Sequence, residues 1–252
     1  MRHLHRQQSD HAAVAAIDPR TRLLAAGILL ALTISSHGSA FPWQVAAVCL
    51  PVALISGMSP RLLLLRLLHP AFIALVIIIL KTFLGSGPAR ELVTLGTYAI
   101  TGSPDGLREG ALISSRILGA VSVAVLLSQV MSFTETMAAL AWLRVPRGLV
   151  EVALFAWRAL FMLYDDAGTV YTAQKNRLGY CGVRRGLRSF GAMAGMLVIR
   201  AFDNSHTMTV AMAQRGYDGR LPLLRGSRLQ LRQLAGLAAF ALIATTAWKL
   251  QN

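Results

Sequence analysis

Two stretches of this sequence end alike. "AQKNRLGYCG", Ala173 to Gly182, and "AMAQRGYDG", Ala211 to Gly219, share a skeleton of Ala-Gln, then an arginine, then Gly-Tyr-x-Gly. Each closes a run that reads as a helix. Glycine just past a helix takes the left-handed conformation that terminates it, and an arginine in the last turn meets exposed carbonyls and the negative end of the helix dipole. One such ending is therefore generic. Two of them, on consecutive long helices, place Arg177 and Arg215 at helix tips, where each guanidinium can fork onto a carboxylate of a partner.

Other chemistry is hard to find. A phosphate cradle of the Gly-Lys-Ser/Thr kind is excluded, because the only lysines, Lys81, Lys175 and Lys249, follow Leu80, Gln174 and Trp248. "GSGPARE", Gly85 to Glu91, reads as an external turn and not as a phosphate loop. His3, His5 and His11 lie in a polar start with no Cys or carboxylate cluster beside them, and His69 and His206 have no ligand partner at metal-binding spacing. Gly-x-Ser-x-Gly is absent, and the adjacent Asp165 and Asp166 diverge by about 100° on a helix, which suits a solvated or arginine-paired acidic spot better than a catalytic pair. The sequence predicts no catalytic residue, no metal site and no cofactor held by this chain.

The elements that must carry the two arginines are read from composition and periodicity. Hydrophobic content of 55% and charged content of 14% across 252 residues point to the bilayer. Leu23 to Ser36, Phe41 to Gly57, Leu67 to Leu84, Ala111 to Val130 and Leu234 to Trp248 are apolar runs approaching the ~20 residues a span needs. Five spans are expected, with Arg66, His69 and Lys81 snorkelling near the ends of the third. The polar start and the lack of a small-residue cleavage site predict that the first span is retained.

Net charge is +14, and 14 of the 25 basic residues fall between Met131 and Arg232, against 6 acids there. The positive-inside rule assigns this block, and the N-terminus with Arg2, Arg6, Arg20 and Arg22, to the cytoplasm. Anionic lipid head groups account for much of that charge, and nucleic acid is not the expected partner. Cys49 in a span and Cys181 in the basic block are not expected to form a disulfide.

Within the block, "FTETMAAL" suggests a short helix capped by Thr134 with Met137 at the position usual for Glu. Pro146 opens a helix predicted to reach Leu178, about 50 Å at ~1.5 Å per residue. Its seam is Val150, Leu154, Trp157, Phe161, Tyr164, Gly168 and Tyr171. A second seam, Phe190, Ala194, Leu197, Ala201, Ser205, Met208 and Met212, leads to Arg215. The seams are expected to be packing surfaces, able to pack on each other. The result is an all-α polytopic membrane protein of about five transmembrane helices with a module of two long helices and a shorter one: a tail and four spans over 1–130, the module over 131–228, and a last span over 229–252.

These pieces resemble the T component of energy-coupling factor (ECF) transporters, the membrane subunit that links a substrate-binding membrane protein to a pair of ABC ATPases. "IDPRTRLL", Ile17 to Leu24, is similar to the family's Asp-Pro-Arg-x-Lys-Leu-Leu start of its first span, with Asp18, Pro19 and Arg20 matching and Arg22 where lysine is usual. The two endings are similar to the family's paired Ala-Arg-Gly motifs. Here the first reads Asn176-Arg177-Leu178-Gly179, with an added residue before glycine, and the second Gln214-Arg215-Gly216. The added Leu178 is expected to change the distance from Arg177 to the helix end.

The resemblance implies that Arg177 and Arg215, with Gly179, Gln214 and Gly216, face an ABC ATPase dimer that carries ATP and Mg. It further implies a separate substrate-binding membrane subunit, with a small accessory membrane subunit, and a place in the bacterial inner membrane. The N-terminal extension and overall length look most like the cobalt-type branch, CbiQ, with cobalt held by the partner. Nickel-type and vitamin-type T components, such as those for biotin, share the motifs. A membrane enzyme acting on anionic lipid and a self-sufficient carrier or channel are the readings from other classes. The first requires turnover by the chain alone, and the second requires charges lining the spans.

Overall fold

The computed structural model describes residues 18–84, 90–95, 98–217 and 231–251. The expectations for His3, His5, His11, Arg2 and Arg6, for Gly85 to Ala89, and for the segment Asp218 to Arg228 lie outside the described residues. The chain divides into two compact units, Met1–Ala139 with Gly226–Asn252, and Leu140–Arg225. Among the described residues there are eight α-helices and one β-hairpin.

The first unit begins with α1, Pro19–Ser35, and the reason lies in the residues before it. Asp18 Oδ1 accepts from the Arg20 N–H at 3.1 Å, and the Thr21 hydroxyl donates to the Asp18 carbonyl at 2.7 Å. Pro19 occupies the first helical position, where a missing N–H costs nothing. Next come α2, Ala40–Ile55, and α3, Pro60–Leu84. An antiparallel hairpin of β1, Arg90–Leu95, and β2, Tyr98–Gly102, follows. It adds strand pairing where the sequence suggested only a turn. The long α4, Pro104–Val130, starts at Ser103, whose Oγ accepts from the Gly106 N–H.

The central helix is α4, which packs against α1, α2 and α3. Toward α3 its surface is made of small residues. A Cβ on Gly106 would sit 2.1 Å from the Lys81 carbonyl oxygen, and one on Gly110 would sit 3.0 Å from Ile78 Cα. Ser114 Oγ donates to the Ala74 carbonyl at 2.9 Å. Such small faces let helix backbones approach in a solvent that offers no hydrophobic drive between helices. Lys81 and Glu109 add an ion pair at 2.9 Å. On its other side α4 contributes Val123 to a core with Ala26, Phe41, Val45 and Cys49. The last helix, α8, Leu231–Gln251, lays Ala247 and Trp248 on that core.

Among the described residues three helices are long and apolar enough to cross a membrane, Pro60–Phe83, Pro104–Val130 and Leu231–Gln251. The apolar side chains of α3 and α8 are largely exposed in this chain, as lipid-facing helices require, whereas the central α4 is more buried. The other two expected spans form shorter helices, α2 of 16 residues and α1 of 17.

Helix ends sort onto two faces. Arg22 Nη1 donates to the Val130 carbonyl at 2.9 Å, so the start of α1 and the end of α4 share one face. Gln251 Nε2 donates to Gln44 Oε1 at 2.7 Å, and a Cβ on Gly38 would meet the Gln251 carbonyl at 2.9 Å. The end of α8 therefore lies beside the α1–α2 connection, on the opposite face.

A short helix, α5, Phe133–Trp142, follows α4. Its capping box differs from the one expected. Ser132 and Glu135 form it, the Ser132 N–H donating to Glu135 Oε2 at 2.9 Å and the Glu135 N–H to Ser132 Oγ at 3.3 Å. The spacing is the same as for Thr134 and Met137, but the Glu135 carboxylate can return the hydrogen bond and the Met137 thioether cannot. The second unit holds the two long helices, α6, Arg147–Asn176, of 30 residues, and α7, Val183–Gln214, of 32 residues. The first is shorter at its end than the predicted Leu178.

Candidate functional site

The two arginine-bearing ends are the same structure built twice. Arg177 is the C-cap of α6 with φ −91° and ψ 16°, and Arg215 is the C-cap of α7 with φ −88° and ψ 8°. After each comes a residue in the left-handed region, Leu178 at φ 59° and Gly216 at φ 74°. The crossed hydrogen bonds of a Schellman ending close both. Gly179 N–H donates to Gln174 C=O at 2.8 Å and Leu178 N–H to Lys175 C=O at 3.1 Å; Tyr217 N–H donates to Met212 C=O at 3.0 Å and Gly216 N–H to Ala213 C=O at 3.1 Å. Leu178 therefore occupies the place of Gly216. No residue is inserted between Arg177 and its helix end, contrary to the expectation, and the two arginines are in register.

The ending alone is not distinctive. The same crossed bonds close α2, through Met58 to Ala53 and Gly57 to Leu54, and α5, through Val145 to Leu140 and Arg144 to Ala141. At those ends Ser56 and Leu143 stand where the arginines stand in α6 and α7. Backbone bonds already take the carbonyls of Ala173, Gln174 and Lys175 in α6 and of Ala211, Met212 and Ala213 in α7, so neither ending depends on its guanidinium as a cap. Both arginines are exposed, and among the described residues neither has an acidic partner. Gln214 and Gly216 are exposed too. Gly179 is half-buried for a steric reason, since a Cβ there would come within 2.6 Å of Ser189 Oγ.

The helices α6 and α7 form an antiparallel pair. Asp166 and Arg200 make an ion pair between their middles, the arginine-paired reading of this acidic spot. Near the turn, the rings of Tyr171 and Tyr180 meet at 5.0 Å with their planes tilted by 40°, and Ser189 Oγ donates to the Gly179 carbonyl at 2.9 Å. At the far end Tyr217 Oη donates to Glu151 Oε2 at 3.2 Å. The arginines are consequently not brought together. They stand at opposite ends of the pair, roughly 40 Å apart, which is the rise of α7 from Ser189 to Arg215 at ~1.5 Å per residue.

The seams are rotated from those expected. On α6 Val150 and Val170 are buried and Leu154 and Phe161 half-buried, but Trp157, Tyr164 and Tyr171 are exposed. On α7 Leu197, Ala201, Met208 and Met212 are half-buried, whereas Phe190, Ala194 and Ser205 are exposed. The line that α7 turns inward from its start, Gly186, Ser189 and Met193, was not singled out by the sequence.

Asp18, Pro19 and Arg20 belong to the other unit, where the first two start α1. The residue that sequence reasoning undervalued there is Arg22. Besides holding Val130, it lies within electrostatic reach of Glu135 and Asp18, so it ties α1 to the capping box of α5. Among the described residues no three His, Cys, Asp or Glu side chains gather as a metal-binding group. Cys49 and Cys181 are both free, the first buried and the second exposed.

A family model described as cobalt transport protein, CbiQ, matches residues 12–227. The chain belongs to the CbiQ family. Cobalt transport protein CbiQ of Rhodobacter capsulatus is 30% identical over 153 residues, 61% of this chain and 63% of that protein. A fused cobalt transport protein CbiMQ of Methanocorpusculum labreanum is 27% identical over 208 residues, 81% of this chain and 34% of the relative. The energy-coupling factor transporter transmembrane protein EcfT of Staphylococcus aureus is 25% identical over 241 residues, 90% of this chain and 89% of the relative. The chain thus spans less than two thirds of the length of the two cobalt transport relatives and most of the length of the EcfT one. With CbiQ and EcfT relatives, it is a membrane protein of the ECF T-component type.

Proposed function

We propose that this chain is the transmembrane coupling subunit of an ECF-type ABC importer, taking movement from an ABC ATPase dimer to a substrate-binding membrane subunit. The observation that carries the proposal is the matched pair of C-cap arginines, in one register, exposed, without acidic partners among the described residues, and at opposite ends of one helical hairpin. Two tips suit two ATPase subunits, each guanidinium meeting a carboxylate. Arg177 and Gln214-Arg215-Gly216 are the contact residues, with Gly179 allowing α7 to close on the first tip. ATP and Mg are bound by the ATPases and the transported ion by the substrate-binding subunit, so this chain holds no cofactor and hydrolyses nothing.

Cobalt ion is the proposed cargo, supported by the CbiQ family match and by the cobalt transport relatives. The name of the fused relative, which joins CbiQ to a further component in one polypeptide, supports a membrane partner beside this chain. The charge distribution supports a cytoplasmic N-terminus and a cytoplasmic arginine-bearing unit, in a multi-pass protein of the bacterial inner membrane whose basic surface also meets anionic lipid. In cells producing the whole transporter, Arg177→Glu and Arg215→Glu should each leave membrane insertion intact and weaken recovery of the ATPases. The double variant should abolish cobalt uptake. Normal co-purification and uptake by the double variant would refute the proposal.

A further inference from the structure

The end of α7 is held from outside its own helix. Tyr217, two residues past Arg215, reaches back across the pair so that its hydroxyl donates to Glu151 in the first turn and a half of α6. Glu151 is only 9% exposed, an uncommon place for a carboxylate that is not being used. The other arginine end is held by the same arrangement with different chemistry, since Ser189, in the second turn of α7, donates from Oγ to the Gly179 carbonyl just past Arg177. Each tip is thus braced by the start of the opposite helix.

From this geometry we infer that Tyr217 and Glu151 form a clasp that positions Arg215, Tyr217 being a positioning residue for docking and not a docking residue itself. The inference rests on the proposed coupling role of Arg215. The Schellman bond of the Tyr217 N–H ties the ending only to its own helix, and by itself leaves the tip free to shift against α6. Fixing Tyr217 to α6 removes that freedom before a partner arrives, so less ordering has to occur on binding. The buried carboxylate strengthens the hold, because a hydrogen bond to a charged acceptor away from water exceeds one between neutral groups.

The test is a cycle on the full chain co-produced with its ATPase pair, reading ATPase affinity in detergent and cobalt uptake in cells. Tyr217→Phe deletes only the hydroxyl. It should weaken ATPase affinity about three- to tenfold, a hydrogen bond's worth, with membrane level unchanged and the thermal midpoint lowered only slightly. Glu151→Gln keeps an acceptor and should fall between Tyr217→Phe and the parent. In an Arg215→Ala background, Tyr217→Phe should add less than about a twofold further loss, since the clasp acts through Arg215. If Arg215→Ala weakens binding but Tyr217→Phe does not, or if Tyr217→Phe costs as much with Arg215 gone, the clasp is wrong and the docking role stands. Unchanged affinity in Arg215→Ala alone would overturn the docking role, and the clasp with it.

Discussion

At the scale of single residues, Leu178 is the most informative side chain. A leucine at φ 59° carries a backbone cost of about 1–2 kcal/mol that Gly216 avoids in the matching position. Leu178→Gly should therefore be neutral to stabilising, by up to about 1 kcal/mol, while Gly216→Val should cost about 1–2 kcal/mol; both are read from thermal unfolding in detergent. Leu178→Gly should also keep ATPase binding, because Arg177 remains the C-cap. Loss of binding in that variant would make the leucine a contact in its own right. The sequence showed that both arginines end helices but misjudged their register, because it aligned the glycines. Backbone conformation aligns Leu178 with Gly216, and a bulky residue at positive φ is what residue-type rules predict least. Ser132 and Glu135 are legible as Ser-x-x-Glu, two residues ahead of the Thr134 and Met137 pair that the apolar pattern favours.

At the scale of elements, the helices were legible from apolar runs and the long module from its period, but the faces they use were not. Period 3.6 gives a stripe without saying what covers it. In α6 and α7 the large aromatics Trp157, Tyr164 and Phe190 stay outside, while Gly186 and Ser189 turn inward, because small residues let two long helices meet. The same logic governs α4. Its glycines looked unremarkable among apolar residues, yet Gly106 has no space for even a methyl group against Lys81. Gly106→Leu should force α3 and α4 apart and cost about 1–3 kcal/mol or more, seen as a lower thermal midpoint and reduced membrane level. Gly27 in α1 is the control: nothing lies within 4 Å of a Cβ there, so Gly27→Ala should be harmless or stabilising by about 0.5–1 kcal/mol. A Gly106→Leu variant as harmless as Gly27→Ala would mean that close approach does not set the α3–α4 contact.

At the scale of the whole molecule, charge is distributed by stretches. From Ala167 to Phe202 there is no acidic residue, and Lys175, Arg177, Arg184, Arg185 and Arg188 are all exposed around the turn between α6 and α7. Arg184 and Arg185 even sit at the positive end of the α7 dipole, where cations cost a little stability. A partner supplying negative charge offsets that cost. ATPase association should then weaken about tenfold or more as salt rises from 0.1 M to 1 M and the screening length falls from about 10 Å to about 3 Å. Salt-insensitive association would shift the docking role to the exposed apolar side chains Val183, Leu187 and Phe190. The antiparallel pairing of α6 and α7 has a mechanical consequence as well. A helix strut does not shorten, so two partners gripping its ends cannot draw those grips together along it. The hairpin is a calliper of fixed gauge, roughly 40 Å between its jaws. When the gripped bodies approach each other, the calliper has to tilt or rotate, turning a squeeze applied from below into a swing of whatever rests on its back.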